Sequence, residues 1–121
     1  MSKTTVVNVK YDTFDVYIGR RNAHYRFYSS RWANPYIIGP GCTREHALEL
    51  YEKHLRNNPS DLFEPLDELR GKRLGCWCAP LPCHGDLLAR LADMSWDERI
   101  EWLRGDSEGQ EPLPRQLTLD L

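Results

Sequence analysis

Residues 71–88 constrain this chain most, because they read as strand, loop and helix in direct succession: GKRLGCWCAPLPCHGDLL. Gly71 and Lys72 lead into a compact apolar strand over 73–78. Pro80 and Pro82 stiffen the loop that follows, since each ring fixes its own φ. A helix is expected from about His84, burying Leu87, Leu88 and Leu91. A strand running into a helix is the building unit of parallel α/β folds, and ligands of such folds bind at the carboxyl ends of the strands. Three of the chain's four cysteines, Cys76, Cys78 and Cys83, lie at that end, together with His84.

The rest of the chain supplies partners for that unit. Residues 5–10 (TVVNVK) are β-branched and read as a strand. Phe14, Val16 and Ile18 alternate with Asp15 and Tyr17, which predicts a second, half-buried strand, with Tyr11-Asp12-Thr13 as the turn between the two. Residues 20–41 follow without a clear period. Thr43 suits a helix N-cap, and Ala47, Leu48, Tyr51, His54 and Leu55 recur at helical spacing until Asn57-Asn58-Pro59 ends the run. A short helix is expected from Ser60 or Asp61 to Leu69. Ser95-Trp96-Asp97-Glu98 is a capping box, with Trp96, Ile100 and Leu103 expected on the buried face beyond it. The order β-β-loop-α-α-β-α-α predicts an α/β or α+β fold. The expected form is a small Rossmann-like single domain over 1–104, its short sheet flanked by helices, and a flexible tail over 105–121.

With 121 residues, 40% of them hydrophobic, the chain suits one domain with one core. A net charge of −2 excludes a surface coated in positive charge for loose nucleic-acid binding. No apolar run reaches the ~20 residues of a membrane span, and residues 1–10 lack a signal-peptide apolar core. A cytoplasmic location is expected, with no membrane partner. Thiols there stay reduced, so the cysteines point to metal binding or catalysis rather than to a disulfide framework.

Three readings of the cysteine cluster follow. Cys76, Cys78, Cys83 and His84 could ligate a metal, zinc before iron, although the spacing departs from the usual two-halved zinc pattern and adjacent ligands are sterically awkward. Alternatively, Cys83 at a helix N-terminus is a reactive thiol, because unpaired N–H groups and the helix dipole favour its thiolate. His84 would then be a base, and Asp86 would orient it, cap the helix or act as acid or base. In the third reading Cys76 and Cys78 are small buried hydrophobes, and His84 or Asp86 is a cap.

Charge is unevenly distributed. Between Val16 and Arg44 there is no acidic residue, while Arg20, Arg21, Arg26, Arg31 and Arg44 lie there. Arginine grips phosphate in bidentate fashion and aromatic rings stack on bases. Arg20, Arg21, Ser30, Arg31, Trp32 and Asn34 are therefore the candidate nucleotide or phosphate site. The competing reading is a solvated loop that Trp32 and Tyr36 anchor to the core.

These motifs resemble an uncharacterised domain family of phage and bacterial proteins with the signature GK-x-L-x-CWC-x-P…CHxD-x-L. The matching residues are Gly71, Lys72, Leu74, Cys76, Trp77, Cys78, Pro80, Cys83, His84, Asp86 and Leu88. YIGR at 17–20, SRWANPY at 30–36 and TREHALELY at 43–51 are similar to that family as well. The resemblance implies a small α/β domain in which the arginine loop and the cysteine cluster form one site, and it supplies no activity. Separately, QLTLDL at 116–121 resembles the hexapeptide with which bacterial proteins bind the DNA sliding clamp. Gln116, Leu117, Leu119 and Leu121 would be its contacts, and an edge strand is the competing reading. The expected function is thus a nucleotide- or nucleic-acid-associated domain with a Cys/His/Asp site, recruited to the clamp by its tail. The alternative is a non-catalytic phage effector or adaptor that binds or blocks the clamp and carries a structural metal.

Overall fold

The computed structural model describes residues 3–105. Its elements run β1 (Thr5–Asn8), β2 (Val16–Tyr17), α1 (Arg44–Arg56), a 3₁₀ turn (Pro59–Leu62), α2 (Glu64–Asp67), β3 (Arg73–Cys76), α3 (His84–Ala92) and α4 (Trp96–Arg104). The expected order of elements is present, except that the helix expected from Ser60 or Asp61 to Leu69 is divided into the 3₁₀ turn and α2. It is a mixed fold of helices and a small three-stranded parallel sheet. The tail peptide, with Gln116, Leu117, Leu119 and Leu121, lies outside the described residues.

The sheet does not follow the order of the chain. β1 and β2 do not pair with each other, although a tight turn does follow β1, where Tyr11 N and Asp12 N donate to Asn8 O. β3 lies between them and is parallel to both, giving the order β1-β3-β2. The connection over residues 9–15 must therefore cross β3, and Gly75 lets it pass. A Cβ on Gly75 would stand 2.7 Å from a Phe14 ring carbon and 2.8 Å from Val9 Cγ1, closer than real contacts allow. Asp15 then pins the far side, its Oδ2 accepting from Arg73 N at 2.8 Å.

Side chains alternate along a strand, so β3 sorts its residues onto two faces. Leu74 and Cys76 join the buried core with Leu55, Leu62, Leu66, Leu88 and Leu91. Gly75 and Trp77 turn to the other face, where Trp77 meets Tyr25 and Phe27, and Phe14 stands edge-on to Phe27. Trp77 Nε1 also donates to Tyr17 Oη at 2.8 Å. Helices cover one face of the sheet and an aromatic cluster the other.

α3 packs tightly on the sheet because Gly85 has no Cβ. An added one would lie 2.7 Å from Ile18 Cδ1 and 3.1 Å from Val6 Cγ1. Ser95 and Glu98 form the expected capping box at the start of α4. The buried face of α4 differs from expectation: Trp96 and Ile100 are exposed, Leu103 is half-buried, and Arg99 and Trp102 face inward. The last carbonyls of a helix lack intrahelical donors, and Arg99 supplies them. Its Nε donates to Leu91 O at 2.8 Å and its Nη2 to Ala92 O at 3.0 Å, at the end of α3. Its Nη1 reaches Leu62 O at 3.0 Å and pairs with Asp67 at 2.7 Å. Two further arginines work the same way: Arg56 donates to Trp102 O, and Arg70 to Ala92 O and Met94 O. No helix among the described residues is long and apolar enough to cross a membrane.

Candidate functional site

Beyond the carboxyl end of β3 the chain forms a cleft of about 210 Å³. Cys76, Cys78, Cys83 and His84 line it together with Arg20, Asn34 and Arg44. The cysteine cluster and part of the arginine loop thus share one cavity. Trp77, Tyr36, Ile37 and Ile38 make up its apolar wall.

Cys83 is the N-cap of α3, an unusual residue in that position. Its Sγ accepts from Gly85 N at 3.3 Å, while Asp86 Oδ2 accepts from Cys83 N at 3.1 Å. The expected helix start is therefore present, with Asp86 completing its capping box from the first turn. Cys76 and Cys83 are both buried, with Sγ atoms 3.3 Å apart. A thiol donating to a neighbouring thiolate lets the pair lose its first proton easily and hold the second firmly. Hydrogen bonding from Cys83 lowers the Cys76 pKa, and the backbone N–H groups of Ala79 and Cys78 add to this. The same bond, together with burial, raises that of Cys83. The acidic sulfur is thus Cys76, at the strand end, rather than Cys83 at the helix start.

His84 is adjacent to Cys83 in sequence but is used differently. Its Nε2 donates to Ile18 O at 2.8 Å, and its ring meets Tyr51 edge-on at 4.9 Å. Burial holds the imidazole neutral, pushing its pKa below the usual value, and the nearby Arg20 charge pushes the same way. The Tyr51 hydroxyl donates to Trp32 O at 2.7 Å, and burial raises its pKa. His84 therefore holds the loop after β2 onto α3. Among the described residues no three His, Cys, Asp or Glu side chains converge where a metal ion could sit. A metal here would draw on Cys76, Cys78 and Cys83, and His84 would have to release Ile18.

The arginine loop divides into residues at the cleft and residues that build the loop. Arg20 Nε donates to Asn34 O at 2.9 Å and its Nη2 to Tyr36 O at 3.4 Å, which fixes the guanidinium at the cleft. Asn34 is buried, and its Oδ1 accepts from Tyr36 N at 2.9 Å. Arg31 lies elsewhere, paired with Asp61 at 2.7 Å. Trp32 is a core residue, 5% exposed, and has no free face to offer a base. Ser30 Oγ accepts from Trp32 N at 3.0 Å and so shapes the turn. Arg21 is exposed and does not line the cleft. Asp86 opens onto a neighbouring groove with Glu45, Glu49 and Arg90.

Arg44 was not among the expected site residues. Its Nη1 donates to Pro82 O at 2.7 Å, tying the start of α1 to the cysteine loop. The sequence carried a signal for it. A cation in the first turn of a helix opposes the helix dipole, so Arg44 directly after the N-cap Thr43 is poorly placed for helix stability. Among the described residues neither Arg20 nor Arg44 forms an ion pair with a carboxylate.

Known proteins similar to this chain share its domain. The profile of a family described as a domain of unknown function (DUF4326) matches residues 2–94. An uncharacterised 12.4 kDa protein from the nrdA-td intergenic region of Enterobacteria phage T4 is 37% identical over 91 residues, covering 73% of this chain and 76% of the relative. An uncharacterised protein of Acanthamoeba polyphaga mimivirus is 36% identical over 87 residues, covering 64% of this chain and 65% of the relative. No solved structure gives a significant match.

Proposed function

The chain belongs to the DUF4326 family, and from its site we propose that it is a nucleotide- or nucleic-acid-associated domain that holds a phosphorylated ligand between Arg20 and Arg44. One observation carries the reading: both guanidiniums border the same cleft, and neither has a carboxylate partner among the described residues. Each spends only part of its donors on backbone carbonyls, so the remaining donors are free for a phosphate. Trp77 and Tyr36 give the apolar wall against which a base or sugar would lie. The cavity is smaller than the ~300–1,000 Å³ typical of pockets for drug-sized ligands. A mononucleotide or a single nucleic-acid end therefore suits it better than a dinucleotide. The thiol pair at the floor is the reactive group of this reading. Zinc, if bound, would sit on the cysteines. The tail peptide would bring the domain to the sliding clamp.

Calorimetric titration of the full chain with nucleoside mono-, di- and triphosphates tests this. Binding of at least one of them is expected, weakened ~10-fold or more by Arg20→Gln and by Arg44→Gln, with melting temperatures shifted by no more than about 2 °C. Gln116→Ala with Leu119→Ala should leave that binding intact and abolish capture by the clamp. A chain that binds the clamp yet no phosphorylated ligand would replace this reading with the adaptor.

A further inference from the structure

We propose that Cys76 and Cys83 are a redox-active dithiol that a small peroxide closes reversibly to a disulfide. The inference stands on the placement of the two sulfurs and does not depend on which ligand the cleft takes. Their Sγ atoms are 3.3 Å apart, and a disulfide needs ~2.05 Å, so an approach of little more than an ångström forms the bond. Rigid elements present both side chains. Cys76 is the last residue of the central strand and its carbonyl accepts from Val9 N at 3.0 Å; Cys83 caps α3. Cys42 and Cys78 are free and have no sulfur partner among the described residues. Both sulfurs of the pair are buried yet belong to residues lining the cleft. That geometry admits hydrogen peroxide and disfavours a bulky disulfide such as oxidised glutathione.

The chemistry balances in two steps. The Cys76 thiolate attacks one peroxide oxygen; an S–O bond forms, the O–O bond breaks, and the leaving hydroxide takes a proton to become water. The Cys83 thiolate then attacks the Cys76 sulfenic sulfur; an S–S bond forms, the S–O bond breaks, and the second hydroxide leaves as water. Two thiols and one hydrogen peroxide give one disulfide and two waters. The sulfurs lose two electrons and the peroxide gains them. A dithiol reductant reverses the reaction by thiol–disulfide exchange. In the oxidised form the carboxyl end of β3 is stapled to the first turn of α3, and the cleft loses the free thiol pair at its floor.

Treating the full chain with hydrogen peroxide, quenching with N-ethylmaleimide and mapping peptides by mass tests this. Four alkylatable thiols should fall to two, with Cys76 joined to Cys83 and dithiothreitol restoring all four. Cys83→Ser should block the disulfide and leave a dimedone-trapped sulfenic acid on Cys76; Cys78→Ser should change neither. The mapping on the unsubstituted protein stands even if Cys83→Ser fails to fold. A disulfide through Cys78 or Cys42 would overturn the proposal. So would four thiols that stay alkylatable, Cys76 driven to sulfinic acid beside a free Cys83, or zinc that copurifies and holds both sulfurs.

Discussion

Arg99 and Arg44 carry the same guanidinium into opposite circumstances. Arg99 is fully buried, its donors spent on Leu62 O, Leu91 O and Ala92 O, with Asp67 neutralising its charge. Arg44, like Arg20 at the same cleft, spends donors on one or two carbonyls and has no carboxylate partner among the described residues. The helical side of the molecule uses arginine as a multivalent donor that satisfies helix ends. The cleft side leaves its arginine charge uncompensated. A positive charge retained next to a cavity favours an anion there, whereas a neutralised one only stabilises the fold.

The largest expected effect tests the buried half of that contrast. Arg99→Met leaves Leu62 O without its donor and takes the nearest cation from Asp67, which keeps Trp96 and Arg70, a loss on the order of 2–3 kcal/mol. At roughly 4–8 °C per kcal/mol for a domain of this size, thermal melting should fall by about 8 °C or more. Arg44→Gln in the same assay should shift melting by only a degree or two. Equal losses in the two variants would erase the distinction.

A smaller effect separates packing from charge on the cleft side. Gly85→Ala puts a Cβ 2.7 Å from Ile18 Cδ1 and 3.3 Å from Cys83 Sγ. Overpacking costs about 1–3 kcal/mol, and the better helix propensity of Ala returns up to about 1 kcal/mol. Denaturant titration should show a net loss near 1 kcal/mol. No loss would mean that α3 can lift off the sheet freely.

The smallest effect is in pH. His84 is neutral in the folded chain because burial and Arg20 lower its pKa, although Asp86 pulls weakly the other way. The unfolded chain takes up a proton near the ordinary value of about 6.5. This contribution to stability is therefore complete above that pH and is lost as pH falls from there through the lower folded value. Denaturant midpoints measured from pH 7.5 down to 5 should decline in the parent and decline less in His84→Gln. A parent whose midpoint is flat over that window would mean that His84 is not buried against Ile18.

Much of the architecture was legible because its signals are local. Thr43, the Ser95/Glu98 box and the strand-loop-helix run at 71–88 each specify an element through neighbours in sequence. The meeting of Cys83 and His84 with Arg20 and Asn34 was foreseeable from two motifs that the shared-site resemblance joined. Three features were not legible in this way. β3 inserting between β1 and β2 depends on space above Gly75, which is set by Phe14 and Val9 from elsewhere in the chain. The face of α4 depends on unsatisfied carbonyls of α3 and the 3₁₀ turn. Arg31 and Trp32 read like Arg20 and Asn34, and only packing sends Trp32 into the core and Arg31 to Asp61.

By itself, then, the sequence determined the order of the elements, the starts of α1, α3 and α4, and which chemical groups stand near the end of β3. Backbone propensity, capping and turn chemistry act within a few residues, so the order of letters suffices to read them. Tertiary structure decided that Cys76 pairs with Cys83 rather than with Cys78, that His84 holds Ile18, and that Arg44 joins Arg20 at the cleft. Those outcomes depend on distances between segments far apart in the chain, and such distances exist only once the core has packed.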